Sequence, residues 1–140
     1  MGYAFIDHTA DVAADLSAAT LPELFVFAAH ALTDTLTDMD LVRASITRSV
    51  TLEAVTIEEL LVDWLNELVY LFEVQNMLTS AADVTIDEAG GRWRLRASVS
   101  GEPFDPDRHP SRVQVKSATY HGLHVTRDGE TWRARIVLDI

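Results

Sequence analysis

The sequence predicts an α+β fold: one domain in which two amphipathic helices pack on a mainly antiparallel sheet. Three observations predict it. Two stretches open on a capping box and continue as apolar stripes at helical spacing. Other stretches alternate apolar and polar residues with the period of two that a half-buried strand shows. Turn dipeptides, Gly90-Gly91 and Asp128-Gly129, sit where such strands must reverse. With 140 residues, 48% of them hydrophobic, the chain is long enough to bury one core and too short for two ordinary domains. Residues 1–140 are therefore read as a single domain.

In chain order, Tyr3 to Ile6 reads as a short strand, and Asp7-His8-Thr9-Ala10-Asp11 as a turn or a site between apolar flanks. Val12 to Leu16 resumes an extended pattern with Ala14 and Leu16 on one face. Thr20 then caps a helix, Glu23 bonds back to it, and Pro22 suits the first turn. Leu21, Leu24, Phe25, Ala28, Leu32 and Leu36 carry that helix to around Thr37, with Glu23, His30, Thr33 and Asp34 opposite. Ile46, Arg48, Val50 and Leu52 alternate with Thr47, Ser49, Thr51 and Glu53 as a strand. A second capping box at Thr56 and Glu59 opens the main core helix, whose stripe is Leu60, Leu61, Trp64, Leu65, Leu68, Leu71 and Phe72. Val84 and Ile86, then Trp93 to Val99, form a hairpin about Gly90-Gly91, and Gly101 to Arg112 reads as a Pro- and Asp-rich loop. Last comes a long hairpin: Val113, Val115, Tyr120, Leu123 and Val125 lead to Asp128-Gly129, and Trp132, Ala134, Ile136 and Leu138 return with Arg133, Arg135 and Asp139 on the other face.

Composition excludes several classes of function. The absence of Cys removes disulfide frameworks and thiolate metal sites. No apolar run approaches the roughly 20 residues of a membrane span, and the first residues lack a signal peptide's basic and apolar regions. The expected location is cytoplasmic. A net charge of -11 opposes strong direct binding to nucleic acid and suits a cation or a basic protein partner.

The chain ends two residues after Leu138. If Leu138 packs into a sheet, Asp139 and the terminal carboxylate of Ile140 are held side by side, and Asp11 is the candidate to complete a cation site with them. The alternative is a solvated chain end. Hard oxygen donors favour calcium, magnesium or manganese over zinc, with calcium expected in the isolated protein. Asp7, His8 and Asp11 could bind a metal or serve acid-base chemistry, or could simply satisfy backbone N–H groups in a turn. Lys116 is either a solvated strand residue or a donor beside the carboxylates. His121 and His124, three apart on an extended segment, should face opposite sides, and Arg108 and His109 are loop residues that reach a partner or are solvated. No Gly-rich phosphate loop, serine elbow or zinc-spaced set is present, so no catalytic residue is assigned.

Asp7-His8-Thr9-Ala10-Asp11-Val12, the second-helix run Leu61 to Leu68, Gly101-Glu102 through Asp105 to Arg108-His109, Val115-Lys116, Thr119 to Leu123 and the closing Val137-Leu138-Asp139-Ile140 together resemble the archease family. Ser117-Ala118 departs from it, where the family more often has Ala-Val. The resemblance implies a small α+β accessory protein, not an enzyme, that activates the RtcB-type RNA ligase of tRNA splicing and RNA repair. It would promote guanylylation and turnover of that ligase and broaden its nucleotide use. The family's metal positions carry over to Asp11, Asp139 and Ile140, and its functional lysine to Lys116. Two further readings stand beside this one: a chaperone-like modulator of an RNA cytosine methyltransferase, and a metal-dependent phosphoester hydrolase.

Overall fold

The computed structural model describes residues 1–6 and 11–140. The elements run β1 (Gly2–Ile6), β2 (Asp11–Ala18), α1 (Leu21–Leu36), a 3₁₀ turn (Met39–Leu41), β3 (Ile46–Ala54), α2 (Ile57–Gln75), β4 (Met77–Ala89), β5 (Arg92–Pro103), β6 (Ser117–Asp128) and β7 (Thr131–Asp139). The strands form two antiparallel sheets, in the orders β1-β2-β7-β6 and β3-β5-β4. Each helix touches strands of both sheets, so the apolar faces of both sheets and of both helices share one core. No described helix is long and apolar enough to cross a membrane.

Both predicted N-caps form, as the hydroxyl half of each predicted capping box. The Thr20 hydroxyl accepts the Glu23 N–H at 3.3 Å, and the Thr56 hydroxyl accepts the Glu59 N–H at 3.1 Å. Trp64 lies fully buried on α2, and its indole N–H donates to the Phe25 carbonyl of α1 at 2.9 Å, which satisfies the one polar atom that burial of the ring would strand. Thr33, expected on the outer face of α1, is buried, because its hydroxyl donates to the Thr79 carbonyl of β4 at 2.7 Å. The last turn of α1 carries no basic residue. Its carbonyls are met instead by the loop before β6: the Arg112 and Val113 N–H groups donate to Leu36 and Thr35 at 3.1 and 3.2 Å, and the Arg112 guanidinium reaches Asp34. α2 closes on Asn76, left-handed with φ 56°, whose N–H donates to the Leu71 carbonyl.

The final third departs from the expected hairpin in three places. Gly101 to Pro103 belong to β5 and not to a loop; a Cβ on Gly101 would lie 1.7 Å from the Leu78 carbonyl oxygen, so the close approach of β4 requires glycine here. Val113 and Val115 lie in irregular chain, where Val115 is a buried anchor just before β6. Asp128 pairs with Thr131, so Gly129 and Glu130 make the turn, with Gly129 at φ 61°. Between Thr119, opposite Val137, and His124, opposite Arg135, β6 carries four residues where β7 carries one. This wide bulge puts Tyr120 outward, 57% exposed, where the sequence pattern placed it inward. It also removes the regular alternation assumed for His121 and His124, both of which are exposed.

Candidate functional site

Three strands end in one row. Asp11 on β2 stands opposite Asp139 on β7, and Asp139 stands opposite Ser117 on β6. Directly opposed residues of antiparallel strands project to the same face, so two carboxylates and a hydroxyl share one edge of the sheet's outer face. The inner-face neighbours fix this placement. Leu138, Ile136 and Ala134 are buried against the helices, which sends Asp139 outward. Lys116, in the chain just before β6, donates its backbone N–H to the Asp139 carbonyl at 2.8 Å, and its side chain is exposed. Ile140 follows at 39% exposure. Among the described residues no three His, Asp or Glu side chains gather as a metal-holding group. Asp7 and His8 lie outside the described residues.

A second polar centre lies at the far end of β5, and the sequence did not announce it. Glu102, 6% exposed, accepts the Arg43 N–H at 2.9 Å, the Arg108 guanidinium, and the His109 ring N–H at 2.7 Å. His109 Nδ1 accepts the Asp105 N–H at 2.9 Å, which fixes the neutral tautomer with the proton on Nε2, facing Glu102. The ring also stacks on Phe104, which meets Phe72 of α2 edge-on. The Arg108 guanidinium, reinforced by the other donors, holds the Glu102 carboxyl at about 2, well below the usual carboxylate range. Arg108 and His109 are thus committed to the chain's own buried acid, and with Glu102 they latch the segment after β5 to its strand end. The one sequence cue was an acid next to a glycine, followed by a basic pair in a proline-rich segment.

Comparison with known proteins identifies the family. The family model described as the Archease protein family (MTH1598/TM1083) matches residues 3–140. The chain belongs to the archease family. The protein archease of Methanopyrus kandleri is 40% identical over 135 residues, 96% of each chain. That of Methanosarcina acetivorans is 37% identical over 139 residues, 99% of this chain and 95% of its own. The solution structure of Methanobacterium thermoautotrophicum protein 1598 superposes with a TM-score of 0.84 at 30% identity, covering 99% of both chains. A Thermotoga maritima crystal structure, described as an archease and possible chaperone, shares the fold at a TM-score of 0.63 and 20% identity, over 96% of this chain and 94% of its own. Two helices packed on antiparallel sheets are thus the archease architecture, as the sequence predicted.

In this archease fold, one more residue is placed where sequence reasoning did not look. Asn66 of α2, off the apolar stripe, pairs with both backbone groups of Ala118 on the edge strand β6: its Oδ1 accepts the N–H at 2.7 Å and its Nδ2 donates to the carbonyl at 3.4 Å. It mimics a neighbouring strand at the point where β6 leaves the Asp139 row and enters the bulge.

Proposed function

We propose that the chain is a non-catalytic, cytoplasmic accessory protein that activates an RtcB-type RNA ligase, with the Asp11, Asp139 and Ile140 carboxylates holding a divalent cation and Lys116 acting beside it. The ligase, and through it tRNA or broken RNA, would be the partner. The observation that carries this reading is the register of β2 and β7, which sets Asp11 directly opposite Asp139. Like charges so opposed destabilise a sheet, and an oxygen-ligated cation offsets that cost. The donor set is all oxygen, which suits calcium, magnesium or manganese. A bound cation would supply charge neutralisation at phosphate oxygens, the dominant requirement in nucleotidyl transfer. The chain's own contribution is placement. Leu138 anchors the strand end, and the Lys116 N–H fixes the Asp139 carbonyl, which supports a lysine acting from the chain beside the acids.

The test is a multiple-turnover ligation assay with and without the protein, repeated for Asp11→Ala, Lys116→Ala, Asp139→Ala and a variant extended beyond Ile140. Loss of stimulation in all four is expected. Full stimulation by the two aspartate variants would instead favour an adaptor or chaperone-like role without metal, and Asp11-dependent turnover of phosphoesters by the protein alone would favour a hydrolase.

A further inference from the structure

The outer face of the second sheet carries its side chains in rows set by register. One row is Glu53, Arg94, Asp87; the next is Thr51, Arg96, Thr85; the next is Ser49, Ser98, Asp83. The first row neutralises itself: Glu53 accepts from Arg94 at 2.8 and 3.0 Å, and Arg92 lies 3.8 Å from the same carboxylate. In the second row threonines stand where the acids stood. Arg96 accordingly makes no hydrogen bond or ion pair to any described residue, although the chain carries twice as many acids as bases, 22 against 11. It sits in a depression of about 360 Å³ lined by Ser49, Thr51, Asp83, Thr85 and Ser98 together with the backbone beneath them.

Every polar side chain in that depression except Asp83 can donate a hydrogen bond to an oxyanion. A guanidinium with a threonine hydroxyl on each flanking strand and two serine hydroxyls in the next row matches a tetrahedral oxyanion, which offers several acceptor oxygens. We propose that this depression is a binding site for a phosphate ester group, centred on Arg96 and completed by the Thr51, Thr85, Ser49 and Ser98 hydroxyls. Asp83 stands in the depression itself and the chain as a whole carries a net charge of -11, so the site takes one phosphate group at a time and repels a long polyanion. The site is separate from the Asp11–Asp139 row, which lies on the other sheet, and does not depend on the function proposed for that row.

The experiment is a titration of isotope-labelled protein, at low salt, with inorganic phosphate, a nucleoside monophosphate and a short oligoribonucleotide, following the amide signals of Thr51, Thr85 and Ser98. Saturable shifts at these residues are expected with the first two ligands. Arg96→Gln should weaken binding about tenfold, the loss expected for one charge-assisted contact. Asp83→Asn should tighten it several-fold by removing the one repelling carboxylate, and Arg94→Gln should leave it within about twofold. Shifts with the nucleotide but not with free phosphate would assign the group to a nucleotide, and equal shifts with both would assign it to phosphate alone. The proposal is overturned if no ligand shifts these amides, if Arg96→Gln binds as well as the parent chain, or if only the oligoribonucleotide binds.

Discussion

Glu102 and Asp139 are both carboxylates at the C-terminal end of a strand, and the chain treats them in opposite ways. Glu102 is drawn inside and met by a guanidinium, an imidazole N–H and a backbone N–H. Asp139 is turned outward, set against a second aspartate on the next strand, and no described basic side chain comes within ion-pair distance of it. An acid whose charge is answered from within holds a fold together. An acid placed opposite another acid works against it, and such a placement is kept where an outside charge is to be received. The contrast separates an acid answered from within the fold from one left to solvent, among side chains of nearly the same chemistry.

The largest effect is expected at the latch. Glu102→Ala leaves the buried His109 ring N–H without its acceptor and takes the carboxylate away from the part-exposed Arg108 guanidinium and the Arg43 N–H, and should lower unfolding free energy by about 3 kcal/mol, the upper end for hydrogen bonds to a charged group. Urea unfolding at neutral pH measures it. The pH dependence follows from the depressed value of about 2 in the folded chain against 4.5 for an ordinary glutamate. The stabilisation from ionised Glu102 is complete above the unfolded value and is lost as pH falls through the folded one. The gap between the parent chain and Glu102→Gln should therefore narrow between about pH 5 and about pH 2. A gap that stayed constant over that window would show that the charge is not what the latch uses.

A smaller effect is expected at the join between the two regions. Asn66→Ala strands the N–H and carbonyl of Ala118 on the edge of β6, at a cost of about 1–3 kcal/mol. The Ala118 amide should exchange faster with solvent than in the parent chain while the amides of β5 keep their protection. If Ala118 exchange were unchanged, the edge would be held by the packing of Val115 and Ala118 alone, both of which are buried.

How much of this was legible follows from range. Both helices were readable because a capping motif and a stripe at helical spacing are local signals, and both threonine caps form as expected. The sequence offered Asp11 only as a candidate to join Asp139, and the pairing of the two was not readable, because it depends on the register of β2 on β7, strands more than 100 residues apart. The latch was not readable, because its backbone donor comes from Arg43, 59 residues from Glu102. Its glycine, proline and aspartate neighbours also look like an ordinary loop until β4 is seen to need Gly101 beside Leu78. The bulge did leave a trace. Tyr120 and Leu123 are three apart in a segment that otherwise steps by two, and Gly122, at φ 76°, lies between them.

The smallest effect has the opposite sign and is the sharpest check on the comparison. Asp139→Asn removes one of two opposed charges, so in the presence of a chelator it should stabilise the chain, by about 0.5 kcal/mol, the scale of a like-charged cross-strand pair. Added calcium or manganese should then reverse the order. A ligand that binds only the folded chain stabilises it in proportion to the logarithm of its concentration over its Kd, so the parent chain gains with each increment and the variant gains little. Melting temperatures of the two proteins, plotted against metal concentration, should therefore cross. Lines that never cross because the parent chain ignores the metal would make Asp139 a solvated strand end like Asp128. Lines that rise in parallel would place the cation elsewhere in the molecule. A crossing that disappears when the chain is extended beyond Ile140 would assign the third donor to the terminal carboxylate, because the extension changes that group and leaves both aspartates where β2 and β7 hold them.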